Sequence, residues 1–274
     1  MQTPQLLILS RFRDAKPGRL LWKTLMTQDA FLSAALIGLV FLLAGIVKGV
    51  TGMGLPTVAM ALLGALLSPA AAAGLLVLPS LVTNLQQAFA GPDLRGLLKR
   101  FRLMFAATAL TALVASGWLA KGDARLSAGI LGGLLMIYAA YALFAPPLRI
   151  SPEIERRASP FVGAATGLAT GGAGIFVMPA APWLQALGLG KEELTQALGL
   201  SFAVSTLALA AGLALHGAYG PGNLGASLLA LAPAMLGMRI GEILRRSVSP
   251  ASFRRIFLIS LAVLGAEMLS RLWR

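Results

Sequence analysis

The sequence predicts an all-α polytopic membrane protein of about eight transmembrane helices, arranged in two pseudo-symmetric halves with broken Gly-rich helices at the centre. Three observations carry this. Of the 274 residues, 57% are hydrophobic and only 12% charged, with mean hydropathy +0.81, whereas a soluble domain carries about 25% charged residues. The charges are also bunched: between Asp29 and Asp93 the only ionisable side chain is Lys48, and none of Asp, Glu, Lys or Arg lies between Arg157 and Lys191 or between Glu193 and Arg239. Finally, a glycine pattern occurs twice.

Residues 1–29 form a basic tail. Its one short apolar run, Leu6 to Leu9, precedes Arg11, Arg13, Lys16, Arg19 and Lys23, which is the reverse of a signal peptide. Leu20, Leu21, Trp22 and Leu25 beside those cations suit a helix lying at the membrane surface. The first repeat covers 30–145. Its apolar block to Gly91 holds two spans and a broken or re-entrant piece, punctuated by Pro56, Pro69 and Pro79, and spans near 103–120 and 126–145 follow the basic segment Arg95 to Arg102. Residues 146–159, with Arg149, Glu153, Glu155, Arg156 and Arg157, are the polar linker, and 160–274 is the second repeat.

The net charge of +13 sits in clusters between apolar segments, as cytoplasmic loops require. No basic face interleaved with aromatics suits nucleic acid, so membrane lipid is the expected partner of these cations. Placing every basic cluster inside demands different crossing parity in the two halves, so the tail's side stays open. With no Cys and no His-Glu-x-x-His or phosphate-loop motif, neither metal nor cofactor is expected.

The first half reads Gly45, Gly49, Gly52, Gly54, then Pro56; the second reads Gly163, Gly167, Gly171, Gly172, Gly174, then Pro179. A shift of 120 places Gly52 on Gly172 and Gly54 on Gly174. Gly45, Gly49, Gly163 and Gly167 suit close helix packing. The denser Gly52, Gly54, Gly171, Gly172 and Gly174 predict two helix breaks, since each glycine costs a helix about 1 kcal/mol relative to alanine. In membranes such breaks occur where backbone lines a cavity, with half-helix N-termini directed at an anion.

Lys48 precedes the first break and has no acidic residue within four positions. Snorkelling to the interface competes with a functional reading. Together with Thr51 and freed N–H groups it makes a donor-rich locus for an anion. Asn84, Ser201 and Ser205 are polar groups on the helices that follow the breaks, where interhelical hydrogen bonding competes with ligand contact. Ser80, Thr83, Gln87 and Thr206 share those helices. Glu267 and Arg271 read as a surface pair, Trp118 and Trp183 as interface anchors, and His216 as lying at the interface. Gly199-Leu200-Ser201 with His216 faintly suggests an intramembrane serine hydrolase, and a membrane scaffold is a third class. Phe202 stands where such a serine's following glycine would be expected, and a scaffold does not explain duplicated breaks.

The stretches from Gly45 to Pro56 and from Gly167 to Pro179, each followed by a helix with small and polar residues, resemble the TauE/SafE sulfite exporter family from about residue 30 onward. The resemblance implies transport of sulfite, sulfonates or related small anions across the bacterial inner membrane, and no enzyme activity. Met53 and Lys48 depart from the family's first motif. Export fits the physics, because one negative charge leaving a negative-inside cell releases about 2.3 kcal/mol per 100 mV. A homodimer is a further partner to test.

Overall fold

The computed structural model describes residues 28–145, 148–245, 247 and 249–273, and every regular element among them is helical. The chain forms α1 (Gln28–Thr51), α2 (Leu55–Leu66), α3 (Pro69–Ala90), α4 (Leu94–Arg100), α5 (Arg102–Lys121), α6 (Ala124–Phe144), α7 (Pro152–Ala173), α8 (Ala180–Ala186), α9 (Lys191–Leu215), α10 (Pro221–Leu244) and α11 (Pro250–Ser270). The expected interfacial helix of the tail lies outside the described residues.

Starts of the helices follow from local chemistry. Proline occupies the first turn of α2, α3, α7, α10 and α11, where no N–H is needed. Ser68, Asp93 and Asp123 cap α3, α4 and α6 by accepting from the backbone N–H groups of Ala71, Gly96 and Leu126. Seven helices are long and apolar enough to cross a membrane. α2 and α8, with 12 and 7 residues, are too short to span it alone. α7 is long enough at 22 residues but begins inside the polar linker, so Pro152 to Ser159 are helix rather than loop.

Helix partners are interleaved along the sequence: α1 packs on α10, α7 on α5, α3 on α9, and α6 on α11. The first two pairs run parallel at backbone contact. A Cβ added at Gly49 would lie 2.2 Å from the Met238 carbonyl oxygen, and one at Gly163 2.2 Å from that of Met104. Lipid supplies no hydrophobic drive between helices, so this close approach is itself the source of association. Thr108 of α5 adds a hydrogen bond of 3.0 Å to the Gly163 carbonyl.

α3 contains Pro79, which leaves the carbonyl of Leu75 without its helical N–H. Ser227 of α10 fills the gap: its hydroxyl donates to Leu75 O at 2.8 Å and accepts from Leu78 N–H at 2.9 Å. Arg271 pairs with Glu267 at 2.8 Å and also donates to the Ala65 carbonyl at 2.9 Å, tying α11 to α2. The Trp183 indole N–H donates to Ser159 at 3.3 Å, and its ring is partly buried against the core.

The basic segments Arg95 to Arg102, Arg149 to Arg157 and Arg239 to Arg245 share one end of the bundle. Arg100 forms a two-bond ion pair with Glu155, Asp93 N–H donates to Gln196 at 3.1 Å, and Ile150 N–H donates to the Ala186 carbonyl at 3.0 Å. At the opposite end His216 packs against Gly117, and Arg125 donates to the Arg271 carbonyl at 2.6 Å. α1 therefore starts at the end away from these clusters. The short helices α2 and α8 each return the chain after a break, which resolves the parity question left by the sequence.

Candidate functional site

The first break follows from two glycines. Gly52 and Gly54 have φ of +78° and +103°, a region that side chains disfavour, and Pro56 then sets the first turn of α2. The Thr51 hydroxyl turns inward on this bend, 2.8 Å from the Val47 carbonyl and 2.7 Å from that of Met53. Its proton is committed to backbone, so Thr51 shapes the break instead of supplying a free donor. Gln87 of α3 donates to the Gly52 carbonyl.

One turn before the break, Lys48 is 1% exposed. Its ammonium ends on α3 rather than at an interface, donating to the Thr83 hydroxyl at 3.1 Å and to the Asn84 side-chain oxygen. Both are held as acceptors. Thr83 gives its own proton to the Pro79 carbonyl at 2.7 Å. Asn84 donates to Ser80 at 3.0 Å, Ser80 lies 3.0 Å from Thr206, and Thr206 donates to the Phe202 carbonyl at 2.7 Å. Among the described residues the ion pairs are Arg100–Glu155, Arg239–Glu242 and Arg271–Glu267, so no carboxylate balances Lys48. A buried cation without a counter-charge is costly.

Lys48 also lines a cavity of about 630 Å³. Gly49, Thr51, Gly52 and Met53 of the α1 end, Thr83, Gln86 and Gln87 of α3, Lys191, Glu192, Thr195 and Leu198 of α9, and Arg239 and Glu242 of α10 with Arg245 directly after it form its wall. These segments all lie at the end holding the basic clusters. Four cations face two carboxylates there, and Glu242 is already paired with Arg239 at 3.1 Å. The balance makes the cavity attractive to anions.

The second break is narrower than its glycine content suggests. α7 runs unbroken through Gly171 and Gly172 to Ala173, and the chain departs only at Gly174, φ +72°. The correction has a packing cause: a Cβ on Gly171 would lie 2.3 Å from the Ala112 carbonyl, so this glycine serves the α5 contact. Thr170 bridges the break by donating to the Ile175 carbonyl at 2.9 Å. Ser201 and Ser205 are fully buried on α9, and their hydroxyls have no hydrogen-bond partner among the described residues.

Of the residues singled out from sequence, Lys48, Thr51 and Gly52 are thus gathered at the cavity, Asn84 stands directly behind Lys48, and Gly54 shapes the turn into α2. Gly171, Gly172, Gly174, Ser201 and Ser205 do not line this cavity. Arg239, Glu242, Arg245, Lys191 and Glu192 were overlooked, because charges at helix ends look like ordinary interfacial residues. Thr83 and Gln87, four apart on one face of α3, were the visible signal.

A family comparison decides the class, since the profile described as Sulfite exporter TauE/SafE matches residues 37–268. The chain belongs to the TauE/SafE family. No curated protein and no solved structure matches it.

TauE/SafE is a family of transporters and not of enzymes, and the geometry agrees. Ser201 lies mid-helix on α9, fifteen residues from His216 at the helix end, about 22 Å along the axis. A Cβ on Gly117 of α5 would meet His216 Nε2 at 2.3 Å, so the imidazole packs there, away from Ser201.

Proposed function

We propose that this TauE/SafE protein carries a small anion, such as sulfite, a sulfonate or another organosulfur or carboxylate anion, across the bacterial inner membrane by alternating access around Lys48. The observation that carries the reading is the buried ammonium of Lys48, held by two neutral acceptors and facing a cation-rich cavity. An ammonium has three donors; Thr83 and Asn84 take two, and an anion in the cavity would accept the third while supplying the missing counter-charge.

Helix pairing supports two inverted repeats, the expected 30–145 and 160–274, with the second beginning earlier, at Pro152 of α7, so that the linker shortens to 146–151. Exchanging α1 with α7, α3 with α9, α5 with α10 and α6 with α11 maps the principal packing pairs onto one another. Repeats of this kind place substrate at their interface and move by rocking about it. Basic loops favour the cytoplasmic side, so the cavity mouth faces the cytoplasm. A carrier loaded from inside exports an anion down the membrane potential, which favours the outward direction.

The test is a thermal-stability titration of purified protein with sulfite, sulfoacetate, taurine, acetate and phosphate, followed by affinity measurement on Lys48→Gln at equal ionic strength. Stabilisation by one or more anions, lost in the variant, supports the reading. Unchanged affinity in Lys48→Gln removes the site.

A further inference from the structure

We propose that the anion binds at Lys48 together with a proton, and that the carrier moves the two in the same direction. This rests on the assignment of the anion to the Lys48 cavity and adds its ion coupling.

The two protein partners of Lys48 accept hydrogen bonds and do not return them. Thr83 spends its proton on backbone oxygens of Pro79 at 2.7 Å and Ser80 at 3.2 Å. Asn84 presents its oxygen to Lys48 because its amide nitrogen donates to Ser80. A neutral amine has two N–H bonds and one lone pair, so it keeps both inner bonds and turns the lone pair to the remaining direction. An ammonium keeps the same two bonds and turns a third N–H there. The inner partners are therefore satisfied in either state, and only the third direction changes from acceptor to donor.

An anion at that position needs both the donor and the charge. Where the empty site holds the amine, the balanced step is amine plus proton plus anion giving an ammonium–anion pair: one N–H bond forms, no bond breaks in the anion, and no electron changes hands. Beyond Asn84 the hydrogen-bonded chain runs through Ser80 and Thr206 and stops at the Phe202 backbone carbonyl. Nζ itself faces the cavity, so in each state of the carrier proton and anion reach Lys48 through the same opening. A monovalent anion then crosses without net charge, so the membrane potential favours export only of a divalent anion, which keeps one negative charge when it moves with one proton.

Among the described residues no other titratable group is hydrogen-bonded or ion-paired to Nζ. α2 and α3 contain none. α9 contributes Lys191 and Glu192 to the cavity wall, and α10 contributes Arg239 and Glu242, with Arg245 directly after it. α11, which also packs on α1, carries Arg254, Arg255 and Glu267, none of them at that wall.

Proton uptake on anion binding tests this with the purified full-length protein in weak buffer containing a pH indicator. Ethanesulfonate and chlorate serve as probes, because both stay ionised and cannot themselves take the proton. In the parent protein, uptake should approach one proton per anion as the pH is raised, with affinity falling about tenfold per pH unit in that range. Lys48→Arg should bind without uptake, since a guanidinium keeps its proton, and Lys48→Gln should lose both signals. Binding that depends on Lys48 but brings no proton at any pH overturns the coupling and leaves the site standing. Uptake that persists in Lys48→Arg also overturns it, assigning the proton to Lys191, Glu192 or Glu242. Failure of both probes to bind the parent, or full affinity in Lys48→Gln, removes the site and the coupling with it.

Discussion

Lys48 and Asn84, on α1 and α3, share a hydrogen bond in which a cation meets a neutral amide where a structural ion pair would have a carboxylate. Oxygen for oxygen, aspartate has the same shape. The amide leaves the positive charge unspent, and an external anion can use it.

Asn84→Asp supplies the counter-charge from within and should empty the site. Anion affinity should drop at least about tenfold, equivalent to 1.4 kcal/mol, because the new carboxylate neutralises Lys48 and repels the anion. Calorimetric titration of the variant beside the parent checks this, with retained thermal stability as the control. Equal affinity would show that Lys48 does not bear on the anion.

Lys48→Gln removes the charge while leaving a donor for Thr83 or Asn84. A charged hydrogen bond contributes about 1.5–3 kcal/mol, so binding of a responsive anion should weaken about ten- to a hundredfold. Lys48→Arg keeps the charge but brings a planar fork into a place built for a point donor, and should change the order of preference among anions in a competition assay.

Gly49→Ala places a methyl group 2.2 Å from the Met238 carbonyl and 2.8 Å from the Glu242 backbone nitrogen. Backbone cannot step aside as a side chain can, so α1 and α10 must separate. The expected cost is about 1–3 kcal/mol or more. Gly38→Ala on the same helix meets nothing within 4 Å and should leave the melting temperature unchanged or slightly higher. Similar melting shifts for the two variants would refute backbone packing as the reason for Gly49.

Ser227→Ala strips the Leu75 carbonyl of its donor beside Pro79. An unsatisfied buried carbonyl costs about 1–3 kcal/mol, visible as a melting shift of a few degrees in detergent. Ser227→Thr retains the hydroxyl and should recover most of the loss. A variant as stable as the parent would mean that the Leu75 carbonyl finds another donor.

The sequence by itself determined the solvent, the element type and the first break. Apolar runs of bilayer length separated by clustered charge admit few other folds, because lipid satisfies no backbone polar group and leaves the helix as the self-sufficient element. Gly52, Gly54 and Pro56 ended α1 by local backbone geometry, which needs no partner. Lys48 was visible for a similar reason, since a lone charge amid apolar residues is expensive wherever it falls.

Tertiary structure alone decided what depended on a neighbour. Gly171 and Gly172 look like break residues in isolation, yet α7 continues through them, Gly171 pressed against α5. Ser201 and Ser205 had the same polar signature as Ser80 and Thr206, but only the latter two meet across the α3–α9 contact. The pairing of α1 with α10 brought Arg239, Glu242 and Arg245 to a cavity that opens beside Lys48, nearly two hundred residues away in sequence. Glycine pattern and charge spacing are local signals. Which carbonyl a glycine meets, and which cation faces a cavity, is set by the partner helix.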